Sequence, residues 1–274
     1  MIRKLGLATI PLLASGTAAV AAPLPSCLPP VEVAHAQVAR AEQNGVLVLL
    51  DGRAVKLEGL LFPAGAKDRA PPSFQAQALA ELRALTQGRD VTLAAQPPKE
   101  DRYDRIRAQI LFPLGDKEPW LQVALLRRGL ARVFIAPDRR ECASELYGVE
   151  AQARAAHAGL WSSPTYAVRT PMNLGPGQTG SFQIVEGQVR NADVKGGRAY
   201  LNFGADWRKD FTVTIAPQDL KSFTAAGIDP RSYAGKTVRV RGWVQYLNGP
   251  EIETAAPESI EMLSNTPLKP AMAQ

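Results

Sequence analysis

The sequence predicts a mainly β protein with some α, built as two small successive β-barrel blocks joined by a linker. Three observations predict this. Short runs of alternating apolar and polar residues, bounded by Gly, Pro, Asn and Asp, recur along the chain. Three segments with apolar residues at helical spacing fall among the strands of the first half, and one short one in the second. Residues 163–180 are rich in Pro, Gly, Thr and Ser, show no apolar period, and separate the two patterned blocks as a linker. A chain of 274 residues fits one or two domains at roughly 100–200 residues each.

Residues 1–21 read as a secretory signal peptide. Arg3 and Lys4 give a positive start, Leu5 to Val20 is apolar and small, and Ala19-Val20-Ala21 supplies the small residues for cleavage after Ala21. A membrane anchor is the competing reading. The apolar run is only 16 residues and is interrupted by Gly6, Pro11 and Gly16, whereas a spanning helix needs roughly 20. No later stretch is apolar enough to span a bilayer. The expected location is therefore periplasmic or secreted. Without Arg3 and Lys4 the formal charge falls from +6 to +4. That is compatible with a nucleic-acid partner without arguing for one.

The two cysteines are Cys27 and Cys142. An even count in an oxidising compartment favours a disulfide between them. Lipidation of Cys27 is the alternative, because Leu24-Pro25-Ser26-Cys27 loosely resembles a lipobox. Pro25 fits that motif poorly, and Cys142 would be left without a partner.

Residues 22–36 read as a Pro-rich lead-in, and 37–162 as the first domain. Val46 to Leu49 and Val55 to Leu57 flank Asp51-Gly52, a hairpin signal. Ser73 to Gln87 reads as a helix capped by Ser73, with Phe74, Ala78, Leu82 and Leu85 on one face. Val91 to Leu93 and Ile106 to Phe112 read as strands. Trp120 to Leu130 and Glu141 to His157 read as helices stopped by Gly129 and Gly159. In the second block, 181–263, strand patterns cover Phe182 to Val194, Ala199 to Phe203, Phe211 to Ile215, Thr237 to Val244 and Ile252 to Thr254. A short helix lies between Pro217 and Ala225. Five strands with a helix between the third and fourth is the order of an OB-fold barrel. Residues 264–274 read as a tail.

The first block also carries a family resemblance. Val38-Ala39-Arg40, the hairpin through Asp51-Gly52-Arg53, and Val55-Lys56-Leu57-Glu58-Gly59-Leu60 resemble the opening of the staphylococcal nuclease (thermonuclease) family. Asp101-Arg102-Tyr103-Asp104-Arg105 is similar to its Asp-x-Tyr-Gly-Arg segment. Leu125 with Gly129-Leu130-Ala131 resembles its second helix. Glu150, Ala153-Arg154 and Gly159-Leu160-Trp161 resemble its third helix and closing Gly-Leu-Trp. The resemblance implies an OB-type barrel with three helices, and phosphodiester hydrolysis assisted by one Ca²⁺.

It also exposes departures. The family's first metal-binding Asp falls on Gly45, or on Val46 if the turn shifts by one. The second falls on Leu61. The residue giving a further metal oxygen falls on Phe62, and the Glu proposed as base falls on Ala64. The first catalytic Arg becomes Lys56 and the second survives as Arg105, so these two are the residual catalytic candidates. A hard cation needs several oxygen ligands, and none of these four positions offers a carboxylate. The expectation is a degenerate site with no Ca²⁺ and no other cofactor. An active nuclease would need a rebuilt site, with Glu58, Asp101 or Asp104 converging on Arg105.

Two tyrosines that line the family's nucleotide pocket fall on Ile135 and Pro137, while Arg102 and Tyr103 match positions near the nucleotide. Arg102, Arg105, Arg107, Arg127, Arg128 and Arg132 could form a basic patch, or could pair with Glu100, Asp101 and Asp104 on a solvated surface. The second block holds 10 Lys+Arg against 10 Asp+Glu, a balance that favours a docking or structural module over a nucleic-acid groove. Arg239 and Arg241, alternating on one strand, are its nucleic-acid-binding candidates, or simply its solvent face. Tyr200, Phe203, Trp207, Trp243 and Tyr246 could give stacking surface for an oligonucleotide or a glycan, with Phe203 otherwise in the core. His35 and His157 are the only histidines, and no spacing suggests zinc. Gly196-Gly197 reads as a hairpin turn. The resulting expectation is an exported, non-catalytic binding module. A protein partner is favoured, nucleic acid is possible, and the partner's identity is open.

Overall fold

The computed structural model describes residues 25–113 and 116–263. The signal-peptide reading and the 264–274 tail lie outside the described residues. The first strand, β1 (Val31–Glu42), is long enough to pair twice. Its first half lies antiparallel to β5 (Asp90–Ala94), and its second half to β2 (Val46–Leu49). β2 turns through Asp51-Gly52 into β3 (Ala54–Leu57), which runs parallel to β6 (Ile106–Leu111). β5 and β6 pair antiparallel and close a barrel in the order β1-β2-β3-β6-β5. A two-residue pairing of β4 (Leu60–Leu61) with β7 (Arg132–Val133) sits at one end.

The strand starts at Val31, six residues inside the expected lead-in. The prolines end at Pro29-Pro30, and Val31-Glu32-Val33 already alternates, so the backbone extends and pairs at once. The disulfide between Cys27 and Cys142 is formed, with a Cα–Cα distance of 5.1 Å.

Three helices flank this barrel. α1 (Pro72–Thr86) buries Ala78, Leu82 and Thr86. Its expected Ser73 cap is not made, because Pro72 takes the first helical position. Proline has no N–H to satisfy there and its φ is already helical, which places Ser73 inside the first turn. α2 (Leu121–Arg127) ends before Gly129, and α3 (Ala143–Ala155) ends before Gly159. Both glycines have positive φ, and their backbones touch. A Cβ on Gly129 would lie 2.0 Å from the Ala158 carbonyl oxygen, and one on Gly159 would lie 2.3 Å from that of Gly129. The Leu160 N–H donates to the Gly129 carbonyl at 2.9 Å, so the two helix ends are joined backbone to backbone.

The second sheet contains β8 (Phe182–Gln188), β9 (Asn191–Lys195), β10 (Arg198–Asn202), β11 (Thr212–Ile215), β12 (Thr237–Tyr246), β13 (Pro250–Glu253) and β14 (Ile260–Met262). The short α4 (Leu220–Ala225) lies between β11 and β12, where the sequence places it. β8 pairs with β12, then the chain bends at Val189-Arg190 and continues as β9 against β10. Taking β8 and β9 as one bent strand, the order is that strand, β10, β11, β13, β12, with β11 parallel to β13. This is the connectivity of the first barrel, repeated in a sheet that curls on itself.

Each sheet encloses its own apolar core, and a third cluster joins them. That cluster contains Ala153 and Trp161 from the first unit, Tyr166 from the connecting segment, and Ile184 from β8. The expected linker is therefore packed. Tyr166 is buried, and Arg169 exchanges backbone hydrogen bonds with Ile184 and Glu186 at 2.8 Å. Among the described residues no helix is long and apolar enough to cross a membrane.

Candidate functional site

The corner between β1, β4 and α1 is where the sequence places the acids of a metal site. The turn Gln43–Gly45 brings Gly45 there with φ +74°. The Phe62 side chain, just after β4, folds onto it. A Cβ on Gly45 would meet Phe62 Cε2 at 2.2 Å and Cδ2 at 2.6 Å. Phe62 is buried in the first core cluster with Ala78 and Leu82 of α1. Leu61 is half-buried, and the Ala64 N–H donates to Asp68 Oδ2 at 2.8 Å.

The charged residues nearby are committed to each other. Glu58 accepts two hydrogen bonds from Arg107, from Nε at 3.1 Å and from Nη2 at 3.0 Å. Arg107 also donates to both oxygens of Asp138, at 2.5 and 3.1 Å. The Arg107 guanidinium holds the Asp138 carboxyl below the usual carboxylate range. Lys56 Nζ lies 3.8 Å from Glu58 Oε1. Arg105 is paired instead with Asp101, at 2.8 and 2.6 Å. Burial pushes the Asp101 carboxyl upward, but the Arg105 guanidinium and the Tyr103 and Arg105 amides outweigh it and hold it low. Of the three acids that could rebuild a site, Asp101 is ion-paired with Arg105, while Glu58 is held by Arg107. Among the described residues no group of three or more His, Cys, Asp or Glu is placed to hold a metal ion.

Asp104 takes φ +57°, which explains the glycine at that place in the Asp-x-Tyr-Gly-Arg pattern. The turn lifts Tyr103 out, 60 % exposed, with the Arg102 and Arg105 guanidinium carbons 4.8 and 4.9 Å from its ring centroid. The six arginines considered as a patch are otherwise dispersed. Arg127 pairs with Glu118, and Arg132 with Asp68.

Arg239 and Arg241 do share one side of β12, as their alternation predicts. That side is turned onto α3 and not to solvent. Arg241 is buried, donating to Glu150 at 2.8 Å and Glu261 at 2.6 Å, with its guanidinium carbon 4.0 Å from the Tyr147 ring centroid. Arg239 is paired with Glu186 and Glu261. Phe203 is partly buried against the second core and packs on Phe211, with ring centroids 4.9 Å apart.

The interface between the two units was not read from the sequence. Both oxygens of Asp68 accept from Arg132 Nη2 at 2.9 Å, Oδ2 also accepts from the Ala64 N–H and from the Tyr166 hydroxyl at 3.2 Å, and Arg132 Nη1 donates to the Phe182 carbonyl at 2.9 Å. No local pattern marks such a pair, since its members lie 64 residues apart. Ile135 and Pro137 face a cleft of about 190 Å³ closed on the other side by Arg241, Gly242 and Trp243.

The five-stranded barrel with β3 parallel to β6, its three helices, and the touching glycines after α2 and α3 make one family architecture. Residues 55–163 match the family model described as staphylococcal nuclease homologue. This stretch is a staphylococcal nuclease-like domain. No curated protein matches the chain. The matched residues run from β3 through the turn after α3 and include Leu61, Phe62, Ala64 and Arg105 of the nuclease-like domain. β1, β2 and Gly45 precede the match and complete the barrel.

Proposed function

We propose that this protein is a non-hydrolytic staphylococcal nuclease-like module, exported from the cytoplasm, that works by binding a partner. The observation that carries this is the Phe62 ring lying where a side chain on Gly45 would have to project. Gly45, Leu61, Phe62 and Ala64 do not fit Ca²⁺. They give a hard cation no carboxylate oxygen, and two of them bring apolar surface to the corner. Lys56 and Arg105 remain as cations without a metal-bound phosphate to neutralise. Export rests on the N-terminal sequence pattern, with which a disulfide is compatible.

The test is a cleavage assay. The purified mature protein, incubated with single-stranded DNA and with RNA in excess Ca²⁺, should leave both intact. Cleavage that disappears in Arg105→Ala would overturn the proposal and point to a rebuilt site.

A second reading, nucleic-acid binding without cleavage, draws on Tyr103, exposed between Arg102 and Arg105. A protein partner is favoured over it for two reasons. Arg239 and Arg241 spend their donors inside the protein, and the family's tyrosine positions carry Ile135 and Pro137. Salt-sensitive binding of an oligonucleotide, lost in Tyr103→Ala, would reverse that preference.

A further inference from the structure

The outer face of β9 and β10 carries a cleft that neither the ion-paired interface nor the nuclease-like corner uses. Ala192, Val194, Ala199 and Leu201 of these strands pack into or against the second core. The alternate residues point the other way, and the register sets Asn191 beside Asn202 and Asp193 beside Tyr200. Together with Lys195 and Trp207 these four line a cleft of about 360 Å³.

Trp207 stands 55 % exposed on the loop between β10 and β11. The loop is tightly fixed. The Asp206 N–H donates to Asp210 Oδ2 at 2.7 Å, and the Arg208 N–H donates to Asp206 Oδ1 at 3.1 Å. The Lys209 and Asp210 amides both donate to the Asp206 carbonyl, at 3.1 and 2.9 Å. Gly249, at φ +99°, lets the β12–β13 turn lie against this loop, since a Cβ there would come within 2.6 Å of the Lys209 carbonyl carbon. An aromatic ring held in water by a rigid loop, next to a second ring and a set of polar groups, is pre-organised for a ligand.

The polar groups define the ligand's chemistry. Asn202 Oδ1 accepts from the Thr212 hydroxyl at 3.2 Å, which orients the amide and leaves its NH₂ to donate elsewhere. Asp193 supplies a carboxylate acceptor, but its charge is offset by Lys195 at 3.4 Å. The neighbouring Arg198 is paired with Glu253. The six lining residues therefore supply donors, acceptors and two rings with no net charge, while Arg208 beside them is stacked on the Trp207 ring, its guanidinium carbon 5.1 Å from the centroid. Amide donors beside a carboxylate acceptor match adjacent hydroxyl groups, and aromatic faces match the C–H faces of a pyranose.

We infer that this cleft is a binding site for a neutral oligosaccharide, stacked between Tyr200 and Trp207 and hydrogen-bonded by Asn191, Asp193 and Asn202. The inference deepens the reading of the protein as a binding module. It can fail separately, because the cleavage assay interrogates the first barrel and this site lies on the second.

The test is a calorimetric titration of the full mature chain with cellotriose, maltotriose, xylotriose and tri-N-acetylchitotriose, with oligothymidylate in parallel. At least one sugar should bind. Trp207→Ala and Asn202→Ala should each weaken it by about tenfold or more, a loss of about 1.4 kcal/mol. Met172→Ala, at an exposed side chain outside the cleft, should leave it unchanged. Failure of all four sugars at millimolar concentration, or binding that survives Trp207→Ala, overturns the inference. Oligothymidylate competing for the same site overturns it in favour of nucleic acid.

Discussion

Gly45 and Phe62 act as a pair. The glycine has a backbone conformation that L side chains rarely adopt, and the ring fills the space its Cβ would need. Restoring an acid at this position is therefore a packing problem before it is a catalytic one. Gly45→Asp forces the Phe62 ring out of the first core and strains the turn, at a cost of about 2–4 kcal/mol. We expect a lower Tm by thermal melt and no rise in Tm when Ca²⁺ is added. A Ca²⁺-dependent stabilisation of Gly45→Asp would mean that Phe62 yields and that a cation can be held. The expectation that the acids are absent comes from the sequence alone, because a substitution at a motif position needs only the motif. The placement of the Phe62 ring against Gly45 was not, because the two are 17 positions apart and meet only through the β4 and α1 packing.

At the scale of elements, α3 organises more than the first barrel. Glu150 on this helix is fully buried, and its carboxylate accepts from the Val133 amide at 2.7 Å, from Arg154 at 2.7 Å and from Arg241 of β12 at 2.8 Å. One side chain thus fixes β7, its own helix and the second sheet. Tyr147, one turn earlier, donates its hydroxyl to the Glu258 carbonyl at 2.9 Å. Removing one member of a buried charge cluster strands the others, and costs about 3–5 kcal/mol. Glu150→Gln should lower the calorimetric Tm by roughly 10 °C and split a single transition into two as the second sheet is released. A single unshifted transition would show that the apolar cluster around Trp161 holds the units without the charges. The sequence marked Glu150 only as part of a helix pattern. The hairpin at Asp51-Gly52, the α4 position and the shared side of Arg239 and Arg241 were legible, because each depends on residues within a few positions. Which way that side faces depends on a glutamate 91 residues away, and periodicity carries no such information.

At the scale of the whole molecule, the chain is tied at three levels. The Cys27–Cys142 bridge fastens the segment before β1 to the residue that precedes α3, α3 holds β12, and the packed 163–180 segment runs along β8. The bridge joins positions 115 residues apart. In the chain-entropy picture a loop of that length constrains the unfolded state by about 4 kcal/mol, which for a protein of this size is roughly 10 °C in Tm. Because the constraint acts on the unfolded chain, its loss should lower Tm without changing the native contacts. The Cys27→Ser/Cys142→Ser double variant, compared with the oxidised protein by calorimetry, should melt about that much lower. Its oligosaccharide titration should be unaltered, since the cleft of β9 and β10 has no part in the bridge. Addition of reductant to the oxidised protein should reproduce the shift, and should do nothing to the double variant. An unchanged Tm in the double variant would mean that the segment before β1 is held by its pairing and by Leu28 packing on the first core, with the covalent link contributing little.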